Sequence, residues 1–196
     1  MRPAFLLVSL ALLPARAEVP LRWGFGLGAV SAQGDLLNAV GHRLAPEGML
    51  WAAWQVNASF ALRPTLEYQR FPVAHSGYVY KSTRYNDFGE ENARWSAWTV
   101  GMDACYHPGS GRLGFVGGVA MKAWKVRSYG SFTSIDKTNG TQSYSVDDTT
   151  TKNESALSAG LSWDWTRHLT TEARVTFGSY RKQAYNTLQI RVLWAF

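Results

Sequence analysis

A chain of 196 residues suffices for one domain. With 20 Lys+Arg against 14 Asp+Glu it is mildly basic, and no basic tract gathers that charge, which excludes a nucleic-acid arm. The single cysteine, Cys105, excludes a disulfide framework within the chain, and the abundance of Trp, Tyr, Phe and Gly is an all-β composition.

The N-terminus reads as a signal peptide. Arg2 supplies a positive start, Ala4 to Leu13 is an apolar run broken only by Ser9, and Ala15-Arg16-Ala17 has the small-x-small cleavage pattern. The run is too short for a membrane-spanning helix, which needs about 20 apolar residues. Cleavage after Ala17 divides the chain into a signal peptide, residues 1–17, and one domain, residues 18–196. Losing Arg2 and Arg16 lowers the net charge from +6 to +4. No lipoprotein cysteine stands at the cleavage site.

Period-two alternation then dominates the chain. Leu21, Trp23, Phe25, Leu27 and Ala29 alternate with Arg22, Gly24, Gly26 and Gly28. Leu50 to Phe60 repeats the pattern, and Thr65 to Val73 does so least cleanly. Trp98 to Tyr106, Leu113 to Met121, Leu157 to Trp165 and Leu169 to Phe177 follow. Leu188, Ile190, Val192, Trp194 and Phe196 end the chain. These make eight expected strands, each close to the ~9–11 residues of a membrane-spanning strand.

The connections alternate in length. Short turns are expected at Arg63-Pro64, at Pro108-Gly109-Ser110-Gly111 and at Thr166-Arg167-His168. Longer loops are expected over 31–48, 74–93, 128–154 and 178–186, the third of them mobile in water. This rhythm describes an antiparallel up-and-down barrel with short turns at one end and long loops at the other.

The faces of these strands are unequal. One face carries Arg22, Glu67, Asp103, Lys122, Asp164, Glu172, Arg174 and Arg191, which inside a narrow barrel must pair with one another. The other face is apolar with aromatic ends. Trp23, Trp163, Trp165, Trp194 and Phe196 are expected at the short-turn end, and Trp54, Trp98 and Phe177 nearer the loops. Aromatic girdles around an aliphatic band suit the two interfaces of a bilayer. The opposite arrangement, a soluble lipocalin- or avidin-like barrel with an apolar cavity, would bury these aromatics instead. Gly24, Gly26, Gly28, Gly114 and Gly118 share the polar face, as a crowded interior requires.

On these features the whole mature chain resembles the small eight-stranded outer-membrane proteins, the family of the outer membrane protein A transmembrane domain. The resemblance implies periplasmic turns, extracellular loops and residence in the outer membrane. It also implies that the last strand, through Ile190, Val192, Trp194 and Phe196, is read by the barrel-assembly machinery. No peptidoglycan-binding domain is expected after residue 196.

The candidate sites are sparse. His42, His75, His107 and His168 are too scattered for a spacing-defined metal site, and no cofactor is expected. Some barrels of this kind modify lipid A. The deacylase type pairs a His and a Ser two apart on a strand, which His168-Leu169-Thr170 and His75-Ser76 do not supply. The palmitoyltransferase type needs a His beside an Asp-Ser pair, and Asp147, Asp148 and Ser145 have none assigned. Catalysis is therefore not expected. Lys122, Lys125, Arg127, Arg181, Lys182, Lys81 and Arg84 approach the outer rim. Of these, Lys125, Arg127, Arg181 and Lys182 are candidate contacts for lipopolysaccharide phosphates. The expectation is a monomeric, non-enzymatic barrel with a filled polar interior, serving envelope integrity or surface interaction through its loops. The alternatives are a narrow pore or small-molecule conduit and a lipid A-modifying acyl enzyme.

Overall fold

The computed structural model describes residues 21–41, 44–81, 85–109, 111–136, 138–180 and 183–196. The expected signal peptide lies outside these residues, as do His42, Arg84, Arg181 and Lys182.

Nine strands and one short helix follow in chain order. They are β1 (Leu21–Gly34), α1 (Asp35–Val40), β2 (Leu44–Asn57), β3 (Phe60–Arg70), β4 (Ala74–Lys81), β5 (Tyr85–Tyr106), β6 (Leu113–Asp136), β7 (Gly140–Asp164), β8 (Leu169–Tyr180) and β9 (Gln183–Ala195). All pairings are antiparallel. Sequential neighbours pair except β3 and β4, β1 pairs with β9, and β3 pairs with β5 from Phe60↔Tyr106 to Arg70↔Ser96. Eight strands thereby close a ring. The ninth, β4, stands outside it and pairs only with the outer half of β5, from Ala74↔Ala93 to Lys81↔Asn86.

Three expected connections take a different form, one of them the loop over 74–93, which β4 and the start of β5 fill as paired strands. The first turn lies at residues 58–59, not at Arg63-Pro64, both of which are within β3. Proline has no N–H to give the ladder. The strand accommodates it by letting β2–β3 pairing lapse between Trp51↔Thr65 and Trp54↔Leu62. The polar stretch expected as a mobile loop over 128–154 is instead a regular ribbon, with β6 and β7 paired from Leu113↔Trp163 to Asp136↔Gly140. Its Thr, Ser and Tyr residues tolerate a strand wetted on both faces, and β-branched Thr favours one. At about 3.3 Å per residue, these long strands rise well past the height a bilayer requires. Beyond the ring, β4, β5, β6 and β7 continue as a four-stranded blade, since the described β7–β8 ladder begins only at Ser155↔Ser179.

Burial is inverted relative to a water-soluble barrel. Leu27, Leu50, Val100, Val119, Met121, Leu157 and Ile190 are exposed on the outer wall, while Glu172, Arg191, Asp103 and Lys122 are buried inside. An apolar surface this continuous calls for hydrocarbon as its solvent, and closure of the ring leaves no open sheet edge for hydrocarbon to face. Among the described residues no helix is long and apolar enough to cross a membrane.

Aromatic placement follows the expectation with one correction. Trp23, Trp163, Trp165 and Phe196 are exposed at the short-turn end, where Trp23 and Phe196 lie 4.8 Å apart and Phe25 stacks on Trp194 at 5.0 Å. Trp54 joins them instead of the loop end, because its partners are Leu21 at the start of β1 and Leu62 at the start of β3. Trp98 lies toward the other end, packed on Tyr68 at 4.8 Å.

Glycines on the inner wall make room for the polar core. A Cβ at Gly118 would strike the Asp103 carboxylate, and one at Gly114 would meet both His107 and Ser162. Substituting Gly118→Leu should therefore overpack the lumen and lower stability by about 1–3 kcal/mol. Urea unfolding of the vesicle-reconstituted protein checks this, and a variant as stable as the wild type would show that the lumen is loosely filled.

Candidate functional site

The lumen is built from side chains at alternate positions of each ring strand. Four cations, Arg63, Lys122, Arg174 and Arg191, and five carboxylates, Glu47, Glu67, Asp103, Glu154 and Glu172, are buried among the described residues. Register places several of them together before any side chain is considered: Arg63 stands opposite Asp103, and Glu172 opposite Arg191.

The guanidinium groups then reach across the barrel. Arg63 Nη2 lies 2.9 Å from Asp103 Oδ2 and 2.5 Å from Glu172 Oε2. Arg174 Nη2 lies 2.6 Å from Asp103 Oδ2 and 3.0 Å from Glu172 Oε1. Arg191 contacts Glu67 at 2.9 Å and Glu172 at 3.3 Å, with Glu47 at 3.8 Å. Arg191 also donates to Gln189 Oε1 at 2.9 Å, and Gln189 donates to Glu47 at 3.3 Å. In the ring order β3 and β8 are diametrically opposed, so the Arg63–Glu172 bridge crosses the full lumen.

Of the eight charges expected inside, six are buried there: Glu67, Asp103, Lys122, Glu172, Arg174 and Arg191. Two are not. Arg22 is exposed near the end of the barrel and donates to the Arg167 carbonyl at 2.5 Å, because the inward alternation of β1 runs out into water at that height. Asp164 is half-buried at the same mouth, 3.3 Å from His107 Nε2 and accepting from Thr170 Oγ1 at 2.5 Å. Three buried charges escaped the sequence reading. The sequence pattern puts Glu47 and Glu154 in loops and Arg63 in a turn. The signal was available for Glu47 and Glu154, since alternation extends back through Glu47–Met49 and Glu154–Ala156.

Lys122 differs from the arginines. Its Nζ has no hydrogen-bond partner among the described residues and sits 5.2 Å from the ring centre of Trp124. Above it an apolar layer closes the lumen. Trp95, Trp124 and Tyr185 pack nearly edge to face and Phe71 lies tilted against Trp124, with Val30, Ala32, Val126 and the α1 residues Leu36 and Val40 around them. Leu36 and Val40 are four apart, so one face of α1 turns inward. Gly41, at φ 67°, ends the helix and returns its N–H to the Leu37 carbonyl at 3.0 Å. Lys152 lies 4.7 Å over the Trp95 ring and 3.4 Å from Tyr185 Oη.

The histidines hold no metal geometry: among the described residues no group of three His, Cys, Asp or Glu could bind an ion. His75 contacts the Asn92 side chain, His168 Nδ1 lies 3.0 Å from the Ala195 carbonyl, and His107 Nε2 is directed at Asp164. Ser162 lies near His107, but the ring nitrogen on that side faces a carboxylate, so His107 is not placed as a base for that hydroxyl.

No protein-family model and no curated protein matches the sequence. Solved structures do. The attachment invasion locus protein Ail of Yersinia pestis, in complex with the heparin analogue sucrose octasulfate, aligns with a TM-score of 0.52 at 11% identity, over 90% of this chain and 99% of that one. Neisserial surface protein A aligns at 0.48 and 14% identity, over 90% and 97%. The chain has the fold of the small outer-membrane β-barrel proteins.

In such a barrel the blade and α1 mark one rim and the chain end Phe196 the other. Phe196 closes the ring at its base by donating its N–H to the Trp23 carbonyl at 2.9 Å. Ile190 and Phe196 are exposed on the outer wall, with Val192 and Trp194 between them half-buried on the same face. At the blade end, Lys125 and Arg127 both face outward from β6. Arg127 makes a bidentate pair with Asp147, at 2.9 and 2.7 Å. This hydrogen bond holds the Asp147 carboxyl below its ordinary range, so the pair persists at neutral pH and opens only as pH falls through that depressed value.

The lumen network makes a sharp energetic forecast. Asp103→Ala strips acceptors from both Arg63 and Arg174 and should cost about 3–5 kcal/mol, because buried cations lose their counterion. Gly118 would gain a cavity beside it and nothing to pair. Unfolding midpoints in vesicles read this directly, and a loss below about 1 kcal/mol would mean that water already screens the network.

Proposed function

We propose that this protein is a non-enzymatic integral barrel of the bacterial outer membrane, exported by cleavage after Ala17, with a lumen filled by ion pairs instead of open to solutes. The observation that carries this reading is the set of bridges joining opposite walls, above all Arg63–Glu172 with Arg174–Asp103 beside it. Eight strands leave an interior just wide enough for side chains, and here charged side chains occupy it. The apolar layer of Trp95, Trp124, Tyr185 and α1 supports the same reading at the outer mouth.

The barrel then acts as a rigid stalk. Its external blade of β4–β7 carries surface interaction or strengthens the envelope, and its outer rim meets lipopolysaccharide. Ile190, Val192, Trp194 and Phe196 serve the barrel-assembly machinery during insertion, and the folded protein works as a monomer. A conduit is disfavoured by the bridged lumen.

Planar-bilayer recordings test the filled lumen: no steady conductance is expected from the wild type, and currents comparable to those of large porins would sink the reading. Deleting Phe196 should slow or abolish assembly in cells, seen as loss of the heat-modifiable band on gels. Normal assembly of that variant would remove the proposed role of the last strand.

A further inference from the structure

We propose that the outer wall of β1, β2, β3, β5 and β6 carries a single built site for a bisphosphorylated glycolipid of the lipid A type. An apolar notch at Gly48 takes an acyl chain, and Arg70, Arg94 and Lys125 above it take phosphate. This deepens the outer-membrane reading and rests on it.

The notch comes from register. Leu27, Gly48, Tyr68 and Trp98 form one cross-strand row on the outer face, and Phe25, Leu50 and Leu66 lie in the row below it. The absent side chain at Gly48 leaves a groove between these neighbours, whose lining is almost wholly apolar. Nothing lies within 4 Å of where a Cβ at Gly48 would stand. A Cβ at the inner-wall glycines Gly24, Gly26, Gly28, Gly114 and Gly118 would come within 3 Å of another group, so these are explained by crowding. Gly48 is not.

The cations sit one step further toward the blade. Arg70 follows Tyr68 by two residues and Ser96 precedes Trp98 by two, so each lies about 7 Å beyond the aromatic pair on the same face. Arg70 pairs in register with Ser96, and Ser96 with Lys125, which sets the two cations on either side of a small hydroxyl residue. Arg94 lies one more step out, opposite Arg127. Arg127 is already engaged by Asp147. By contrast Arg70, Arg94 and Lys125 have no carboxylate partner among the described residues, and Arg94 Nε is removed from water with no acceptor. On this face the nearest acids are Asp147, which is engaged, and Glu90, two further steps up β5.

Three unpaired cations above an apolar groove, with a Tyr68–Trp98 pair at the boundary, match a ligand with several negative groups directly above hydrocarbon chains. The spread of cations over two rows fits more than one phosphate, which selects a bisphosphorylated glycolipid over a phospholipid with a single charge.

The test uses the folded protein in detergent and native mass spectrometry. The probes are bisphosphorylated lipid A, its dephosphorylated form and phosphatidylglycerol. Wild type should retain lipid A about tenfold better than either of the others. Replacing Arg70, Arg94 and Lys125 together with Ala should remove that preference. Gly48→Leu leaves every charge in place, suits a hydrocarbon-facing wall and fills the notch, and should weaken retention about threefold or more. Equal retention of phosphatidylglycerol or of dephosphorylated lipid A by the wild type would overturn the site, and so would unchanged binding by Gly48→Leu. Heat-modifiable mobility reports folding of each variant. A wild-type chain that does not fractionate with outer membranes would instead sink the outer-membrane reading, independently of the lipid result.

Discussion

The structure depends on one constraint, that charges taken out of water must meet each other. Arg63, Arg174 and Arg191 are fully enclosed, and each would be ruinous alone. Glu172, which is 0% exposed, lies within 3.3 Å of all three. Its position on β8, opposite β3 and beside β9, makes it the hub that fixes how far apart the walls can stand. Asp103 supplies the second bond to Arg63 and Arg174. Bidentate and shared guanidinium–carboxylate contacts have narrow geometric tolerance, so the network specifies strand register as well as closure.

That constraint sorts the rest of the molecule into levels. In the middle of the barrel the lumen is charged and the wall apolar. Toward the blade the lumen changes to aromatic packing under α1, while the outer wall changes to Arg70, Arg94 and Lys125. The two faces exchange character at about the same height. A membrane interface explains the change outside. Inside, Lys122 under Trp124 and Lys152 over Trp95 mark where ion pairing gives way to cation–π contact. Beyond that height both faces of β6 and β7 are wet, and the ribbon is held chiefly by its ladder and by contacts such as Arg127–Asp147 and Phe132 on Tyr144.

Much of this was legible in the amino-acid order, for a physical reason. A strand with hydrocarbon on one side and a packed polar core on the other alternates strictly, so Leu188 to Phe196 and Leu157 to Trp165 could be read without error of face. Legibility failed where that contrast vanished. Arg63-Pro64 has turn chemistry, yet the lumen needed a cation at 63 and the ladder tolerated the missing N–H at 64. Residues 140–153 set only Tyr144 and Val146 among polar and small residues, so period two carries little signal there, and a paired ribbon looks like a loop. Arg22 and Asp164 failed for a third reason: alternation gives the face of a residue but not its height, and at the mouths of a barrel inward no longer means buried.

Height is also what separates two kinds of glycine in this wall. Gly118 and Gly114 exist to admit Asp103, His107 and Ser162 from their own chain. Gly48 admits nothing from the chain, although a side chain there would meet no obstacle and would add apolar surface where the wall is otherwise continuous. A position at which bulk is free and bulk is absent is best understood through something outside the chain. The three cations standing just above it, unpaired in a protein whose buried arginines all meet carboxylates, give that outside occupant its sign.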